Sequence, residues 1–309
     1  MKKSTKDLFR LQKGLGITSM YRFLHAYWYL AKTDHYIKVL LGTLSFVLKY
    51  FPPRVGRWAM GLVIPYYHGK VMRTEDIKKV LTLNVDLQVA DNIAEKVVPF
   101  DVARSIVIEH PDHIVVQDCA CRQYKESKGE KACSSEKYGI QCCMFIGEPF
   151  VSFILEHSKN NVQKLTVKEA VERLEDVHSR GWASTMFFKD AMGERSYAIC
   201  NCCPCCCIGL KFHREVIPSL HYPLKQYVPS GYAAKIVEEK CTGCELCMDI
   251  CPFGACTFEA DEEKAAVAYE KCMGCGACVD QCPAGAISLV QDPQKGVPLD
   301  VDILREKHG

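Results

Sequence analysis

No part of this 309-residue chain offers the roughly 20 consecutive apolar residues that a membrane-spanning helix requires. Within His35 to Phe51 the uninterrupted apolar-to-small run is only Val39 to Leu48, closed at both ends by lysine. The N-terminal MKKSTKDLFRLQKGLG is basic but lacks the apolar stretch and small-residue cleavage site of a secretory leader. Without such a leader, the 20 cysteines do not read as a secreted disulfide scaffold. They read as metal ligands in a reducing compartment, with the cytoplasm and a low-oxygen setting as the expectation. No G-x-G-x-x-G follows a strand-like segment, so nicotinamide or flavin chemistry is expected in another chain. Nothing resembling a nucleic-acid-binding motif accompanies the basic residues, which argues against a nucleic-acid partner.

Acidic residues are scarce at one end. Residues 1–73 hold 13 Lys/Arg against only Asp7 and Asp34, a balance of +11 in a chain whose net charge is +2. The same segment carries 13 of the 30 aromatics, including Trp28, Trp58 and the Tyr66-Tyr67 pair. It reads as helical, with an aromatic stretch from Tyr21 to Ala31 and a second helix from His35 to Phe51 stopped by Pro52-Pro53. Two uses fit this region. One is a helical layer packed on the rest of the protein or on a partner subunit. The other is a segment lying peripherally on an anionic membrane surface, near a quinone-linked complex.

What is present in excess is cysteine, in two constellations. From Cys241 the chain reads C-T-G-C-E-L-C-M-D-I-C-P, and from Cys272 it reads C-M-G-C-G-A-C-V-D-Q-C-P. Both are C-x2-C-x2-C-x3-C-P, aligned at an offset of 31 residues. A short turn lets three thiolates reach one iron–sulfur cube, while the fourth cysteine, drawn away by proline, reaches the other. The expected ligand sets are Cys241, Cys244, Cys247 and Cys282 for one cluster, and Cys272, Cys275, Cys278 and Cys251 for the other. Cys256 falls opposite Ile287 in the repeat and reads as a small buried hydrophobe. Four-thiolate zinc is the competing chemistry for paired C-x2-C units. The duplicated order, each copy closed by proline, favours clusters. This region resembles the two-[4Fe–4S] bacterial-type ferredoxin domain over about residues 232–292.

The other eleven cysteines lie between residues 119 and 207. Candidate ligands are Cys119, Cys121, Cys133, Cys142, Cys143, Cys200, Cys203 and Cys206. The triplet Cys200, Cys203 and Cys206 repeats the C-x2-C-x2-C spacing, with the upstream group supplying a fourth ligand or a second tetrad. One or two further Fe–S clusters, a zinc site, or a metal-free redox thiol set all fit. Arg122 reads as a surface or structural residue, the alternative being a cation that lowers the pKa of the neighbouring Cys121 thiol. His110, His113, His178 and His213 lack ligand spacing and read as structural. The elements C-x-C-R (Cys119–Arg122), Cys142–Cys143, V-H-x-x-G-W (Val177–Trp182) and Cys200–Cys207 together resemble a group of anaerobe iron–sulfur proteins. That resemblance implies metal binding by these cysteines.

The expected fold class is α+β: a helical region over 1–73, a small α/β Cys-rich domain over 74–215, a linker over 216–231, and a ferredoxin-like dicluster domain with its tail over 232–309. Within the middle, helices are expected from Thr74 and from Pro99 to about Ile108. A buried strand at His113–Gln117 should run into Cys119, and a capping box at Thr166–Glu169 should open a helix. A hairpin is expected around Asp190–Gly193. The leading functional expectation is an electron-transfer protein or subunit serving a redox partner protein. The alternatives are a redox enzyme with a substrate-accessible cluster in the Cys-rich domain, and a redox sensor or metal-handling protein. The C-C-G signature of disulfide reductases is absent, since no cysteine doublet precedes glycine.

Overall fold

The computed structural model describes residues 1–12, 19–83, 85–89, 94, 96–98, 106–193, 195–223 and 225–302. The chain is a mixed α+β protein. Its strands through the first two thirds are β1 (Tyr67–Met72), β2 (Leu87–Val89), β3 (Ile106–Ile108), β4 (Ile114–Asp118), β5 (Gln141–Ile146), β6 (Val162–Leu165), β7 (Ala183–Lys189), β8 (Arg195–Cys202) and β9 (Tyr227–Val228). Seven of them form one sheet in the order β6-β4-β5-β8-β7-β1-β9. Its pairs are antiparallel except β1–β9, which is parallel.

Period-two alternation assigns each strand residue to one of two cores. Ile114 and Val116, Met144 and Ile146, Met186 and Phe188, and Ile199 face one side. Val115, Phe145, Phe187 and Ala198 face the other. The first side is covered by α5 (Thr74–Leu81) and, later in the chain, Val167–His178, through Ile77, Val80, Ala170, Leu174 and Val177. The Val167–His178 helix begins with the capping box read in the sequence: Thr166 Oγ1 accepts from Glu169 N–H, and a Glu169 carboxylate oxygen accepts from Thr166 N–H. On the second side lie α1 (Lys3–Gln12), α2 (Ser19–Ala31) and the helix Phe150–His157, which bury Leu8, Ala26, Leu30, Phe150 and Phe153. In chain order the helices after α5 are α6 (Ala120–Ser127), α7 (Phe150–His157), α8 (Val167–His178) and α9 (Ile208–Lys211).

Helices α3 (Thr33–Tyr50) and α4 (Pro53–Gly61) are less deeply seated. Only Thr33, Leu41 and Leu44 of α3, and Gly56 and Met60 of α4, are buried. Phe46, Tyr50, Phe51, Trp58 and Leu62 are exposed. Among the described residues no helix is long and apolar enough to cross a membrane.

Several expectations are corrected here. The boundary at residue 73 falls just after β1, which is part of the sheet because Tyr67–Met72 pairs along its whole length with β7. The stretch read as linker, 216–231, carries β9, which pairs with Gly69 and Lys70. Ile106–Ile108, expected to end a helix, is instead a fully buried β-branched strand paired with β2. Residues 99–105 of that expected helix lie outside the described residues. The helix expected from Thr74 is α5, which begins at that residue, its first turn carrying the Arg73–Asp76 ion pair.

The C-terminal region repeats its elements at the sequence offset. Strand β10 (Tyr232–Ile236) and helix α10 (Leu246–Ile250) lead to β11 (Cys256–Glu259); β12 (Lys264–Val267) and α11 (Ala277–Asp280) lead to β13 (Ile287–Gln291). Pairing crosses between the halves, β10 with β13 and β11 with β12, as a pseudo-twofold requires. This unit is tied to the sheet. His178 pairs with Asp280, Gln281 donates to Ser179 O at 3.0 Å, and the Arg73 guanidinium lies 3.9 Å from the centre of the Tyr232 ring.

Candidate metal centres

In the C-terminal unit each C-x2-C-x2-C turn wraps a cavity. Cys241, Cys244, Cys247 and Cys282 line one of about 350 Å³. Cys251, Cys272, Cys275 and Cys278 line another of about 340 Å³. The turns depend on glycine where a Cβ has no room. At Gly274 (φ +65°) it would meet Tyr232 O at 2.2 Å, and at Gly243 (φ +67°) Glu263 O at 2.5 Å. Backbone amides aim at the sulfurs: Ala255 N–H donates to Cys251 Sγ at 3.2 Å, Ala286 to Cys282 at 3.3 Å and Ala234 to Cys272 at 3.4 Å. Such donors stabilise thiolate over thiol. The amides of Ala265 and Gly243 hold Cys241 below the ordinary thiol range. Sulfurs placed around a void, with amides behind them, fit an iron–sulfur cube. Cys256 is buried as expected, but it also lines the second cavity, with its thiol bonded to Cys251 and Cys278.

The eleven upstream cysteines divide differently from the sequence reading. Cys200 does not join Cys203 and Cys206. It lies within β8 opposite Cys143 of β5, so the strand fixes its direction before the chain turns at Pro204. Beyond the turn, Cys203, Cys205 and Cys206 gather with Cys133, all four sulfurs lying within 4.8 Å of one another. Cys133 Sγ is 3.2 Å from Cys203 Sγ and 3.6 Å from Cys206 Sγ. Thiolates bound to a single tetrahedral zinc stand about 2.3 Å from the metal and hence about 3.8 Å from each other. The outer tetrad has the spacing of a one-ion site. Cys205, its exposed member, went unread because it breaks the x2 spacing.

The remaining seven form an inner set. Cys119, at the exit of β4, is hydrogen-bonded to Cys121, Cys142 and Cys143. Cys119, Cys142 and Cys143 have sulfurs within 4.8 Å of one another. Cys207, capping α9, bonds Cys121 and Cys202. The strand ends of β4, β5 and β8 thus deliver thiols to one place. Neither group among the described residues includes a histidine.

Arg122 is neither a surface residue nor a bystander. It is buried, with Nη1 donating to Cys142 Sγ at 2.6 Å and Nε to Cys133 O at 2.9 Å. Its guanidinium lies 4.1 Å from the centre of the Trp182 ring, and Nη2 has no hydrogen-bond partner among the described residues. Burial opposes its charge, but Cys142, Cys119, Cys203 and Cys133 outweigh that and raise its pKa. A fixed buried cation between both thiol groups suits thiolates or an anionic cluster. The Val177–Trp182 motif also gains a meaning. Gly181 (φ +71°) ends α8 and lies against Ile250 of the C-terminal unit, and Trp182 then passes under Arg122.

The two regions meet through aromatic rings. Phe253 lines the second C-terminal cavity, and its ring lies 5.7 Å from that of Tyr227. The Tyr227 hydroxyl is 3.9 Å from Cys207 Sγ. Six of the seven inner cysteines, all but Cys142, line a further cavity enclosing about 830 Å³, its opening to solvent and the space for a group on these thiols included.

Residues 233–283 match the 4Fe-4S dicluster domain family. The C-terminal unit is therefore a ferredoxin-type iron–sulfur domain. No curated protein matches the chain.

Proposed function

We propose that this chain is an electron-transfer protein or subunit carrying two ferredoxin-type [4Fe–4S] clusters and a further iron–sulfur group on the inner seven cysteines. The clusters would be held by Cys241, Cys244, Cys247 and Cys282, and by Cys251, Cys272, Cys275 and Cys278. Such clusters supply one-electron chemistry, tuned by the amides behind their sulfurs. The observation that carries the reading is the contact from Phe253 through Tyr227 to Cys207, which joins the second ferredoxin cavity to the inner thiols. The outer tetrad's spacing favours one zinc ion with a structural role. Electrons would come from or pass to a redox partner protein. The basic, aromatic face of α3 and α4 suits a peripheral position on an anionic membrane surface facing the cytoplasm.

The test is iron, acid-labile sulfide and zinc per chain on protein purified without oxygen. About twelve or more irons with about one zinc are expected. In a Cys119→Ser variant, iron should fall to about eight, the content of two cubes. Eight irons in the parent chain, with the inner thiols open to alkylation, would overturn the relay into the sheet domain.

A further inference from the structure

We infer that the large cavity beside the inner cysteines is the binding site of an uncharged, lipid-borne electron acceptor of the quinone class. This deepens the proposed electron-transfer reading and rests on it.

Three observations converge. One wall is a face of α3: Ile37, Leu40, Leu41 and Leu44, spaced as a helical stripe, line the cavity, with Leu44 also packed against Met60 and Ile64. The lining is predominantly apolar, as in small-molecule sites, and no acidic residue belongs to it. Its one cation, Arg122, is already bonded to Cys142 and to Cys133 O. A charged substrate would enter without a counter-ion, so an uncharged one is selected.

The polar, uncharged lining is Tyr67, Asn201, Gln226 and Tyr227. They share the cavity with Cys119, Cys121, Cys143 and Cys200. This places hydrogen-bond donors for carbonyl oxygens beside the candidate redox group, and apolar wall along the path for a tail.

The helices that contribute to the cavity wall also carry a surface suited to lipid. Elsewhere on α3, α4 and the turn between them, Phe46, Tyr50, Phe51 and Trp58 are exposed, with Lys49, Arg54 and Arg57 among them. No Asp or Glu occurs between His35 and Thr74. Aromatic rings at headgroup level with cations on anionic lipid are the usual features of an interfacial segment.

The chemistry balances. A quinone takes two electrons and two protons to become a hydroquinone; the electrons arrive singly from a reduced one-electron donor protein, and the protons come from water.

The test is equilibrium binding of ubiquinone-1 and a short-chain prenyl naphthoquinone to the oxidised, cluster-loaded full chain, without turnover. One saturable site is expected. Leu44→Trp and the less buried Leu40→Trp should each weaken binding at least tenfold, with iron content and circular dichroism unchanged. Trp58→Ser, exposed and outside the cavity lining, should leave the affinity for these soluble probes unaltered. Three outcomes would overturn the site: no saturable binding, full affinity in whichever filled variants keep their iron, or equal loss in Trp58→Ser, which would indicate surface adsorption. Because binding is read on oxidised protein, its failure is separable from failure of the relay, which metal content reports.

Discussion

The two cysteine-rich regions solve the problem of holding metal in opposite ways. In the ferredoxin domain the sulfurs stand apart around cavities of about 350 and 340 Å³, each turn shaped by positive-φ glycine and backed by amides. In the outer tetrad of the sheet domain the thiols touch one another, closing to 3.2 and 3.6 Å between sulfurs, while six of the inner seven line the large cavity. The first arrangement is a local property of a twelve-residue turn. The second is assembled from the ends of β4, β5 and β8 and held by a buried arginine. Voids suit a multi-atom cluster, whereas close sulfurs suit one ion.

The largest expected effect comes from exchanging one ligand in each region. Cys272→Ser should remove about four irons from the chain, the content of one cube. Cys205→Ser should remove zinc and leave iron untouched. Elemental analysis of the two variants side by side decides this, and loss of iron from Cys205→Ser would erase the proposed difference between the regions.

Next is the backbone of the turns. Gly274→Ala places a methyl 2.2 Å from Tyr232 O and 2.4 Å from Ser230 Oγ. It should cost about 3 kcal/mol or more, combining strain with a clash against backbone. Gly285→Ala has the same sign of φ but open space around it, and should cost about 1 kcal/mol. Denaturant midpoints on loaded protein check the ordering.

A smaller effect is set by pH at the junction of the regions. His213 lies against Tyr227 and Phe253, with ring centres 5.3 and 6.0 Å away. Burial first, and then Lys225 and Arg214, push its pKa from 6.5 down to about 4. The unfolded chain therefore binds a proton that the folded chain refuses. Stability is full above pH 6.5 and is lost as pH falls toward 4, by about 1 kcal/mol per pH unit for this group. His25, lowered to about 3 mainly by burial, acts in the same direction. Urea titrations at pH 7 and pH 5 should separate the parent chain from His213→Phe, whose pH slope is shallower.

The smallest effect distinguishes the two halves of the repeat. Glu245 holds φ +61° where the second copy has Gly276 at φ +85°. Glu245→Gly relieves a left-handed side chain but adds unfolded-state entropy, so the net gain should be about 0.5 kcal/mol in thermal or denaturant unfolding.

The ferredoxin domain was legible because its ligand spacing is carried by contiguous residues. C-x2-C-x2-C-x3-C-P sets the turn, and the offset of 31 sets the crossing of the halves. The strand before Cys119, the capped α8 helix and the β7–β8 hairpin were equally legible, each resting on local periodicity or a local cap. Spacing misled at Cys200, because a C-x2-C-x2-C reading assumes a loop and Cys200 lies in a strand. Arg122 carried no sign of burial, since its partners Cys142 and Trp182 come from other elements.

Sequence alone therefore determined the chemistry available: soft thiolates in number, a duplicated cluster motif, and a basic aromatic segment poor in acid. Tertiary structure decided the grouping. Whether two cysteines share a metal depends on which face of a strand each occupies and which strands are neighbours. Both follow from burying alternate residues on the two sides of one sheet. Cys203 consequently belongs with Cys133, Cys200 with Cys143, and the apolar face of α3 with the cavity that the inner cysteines line.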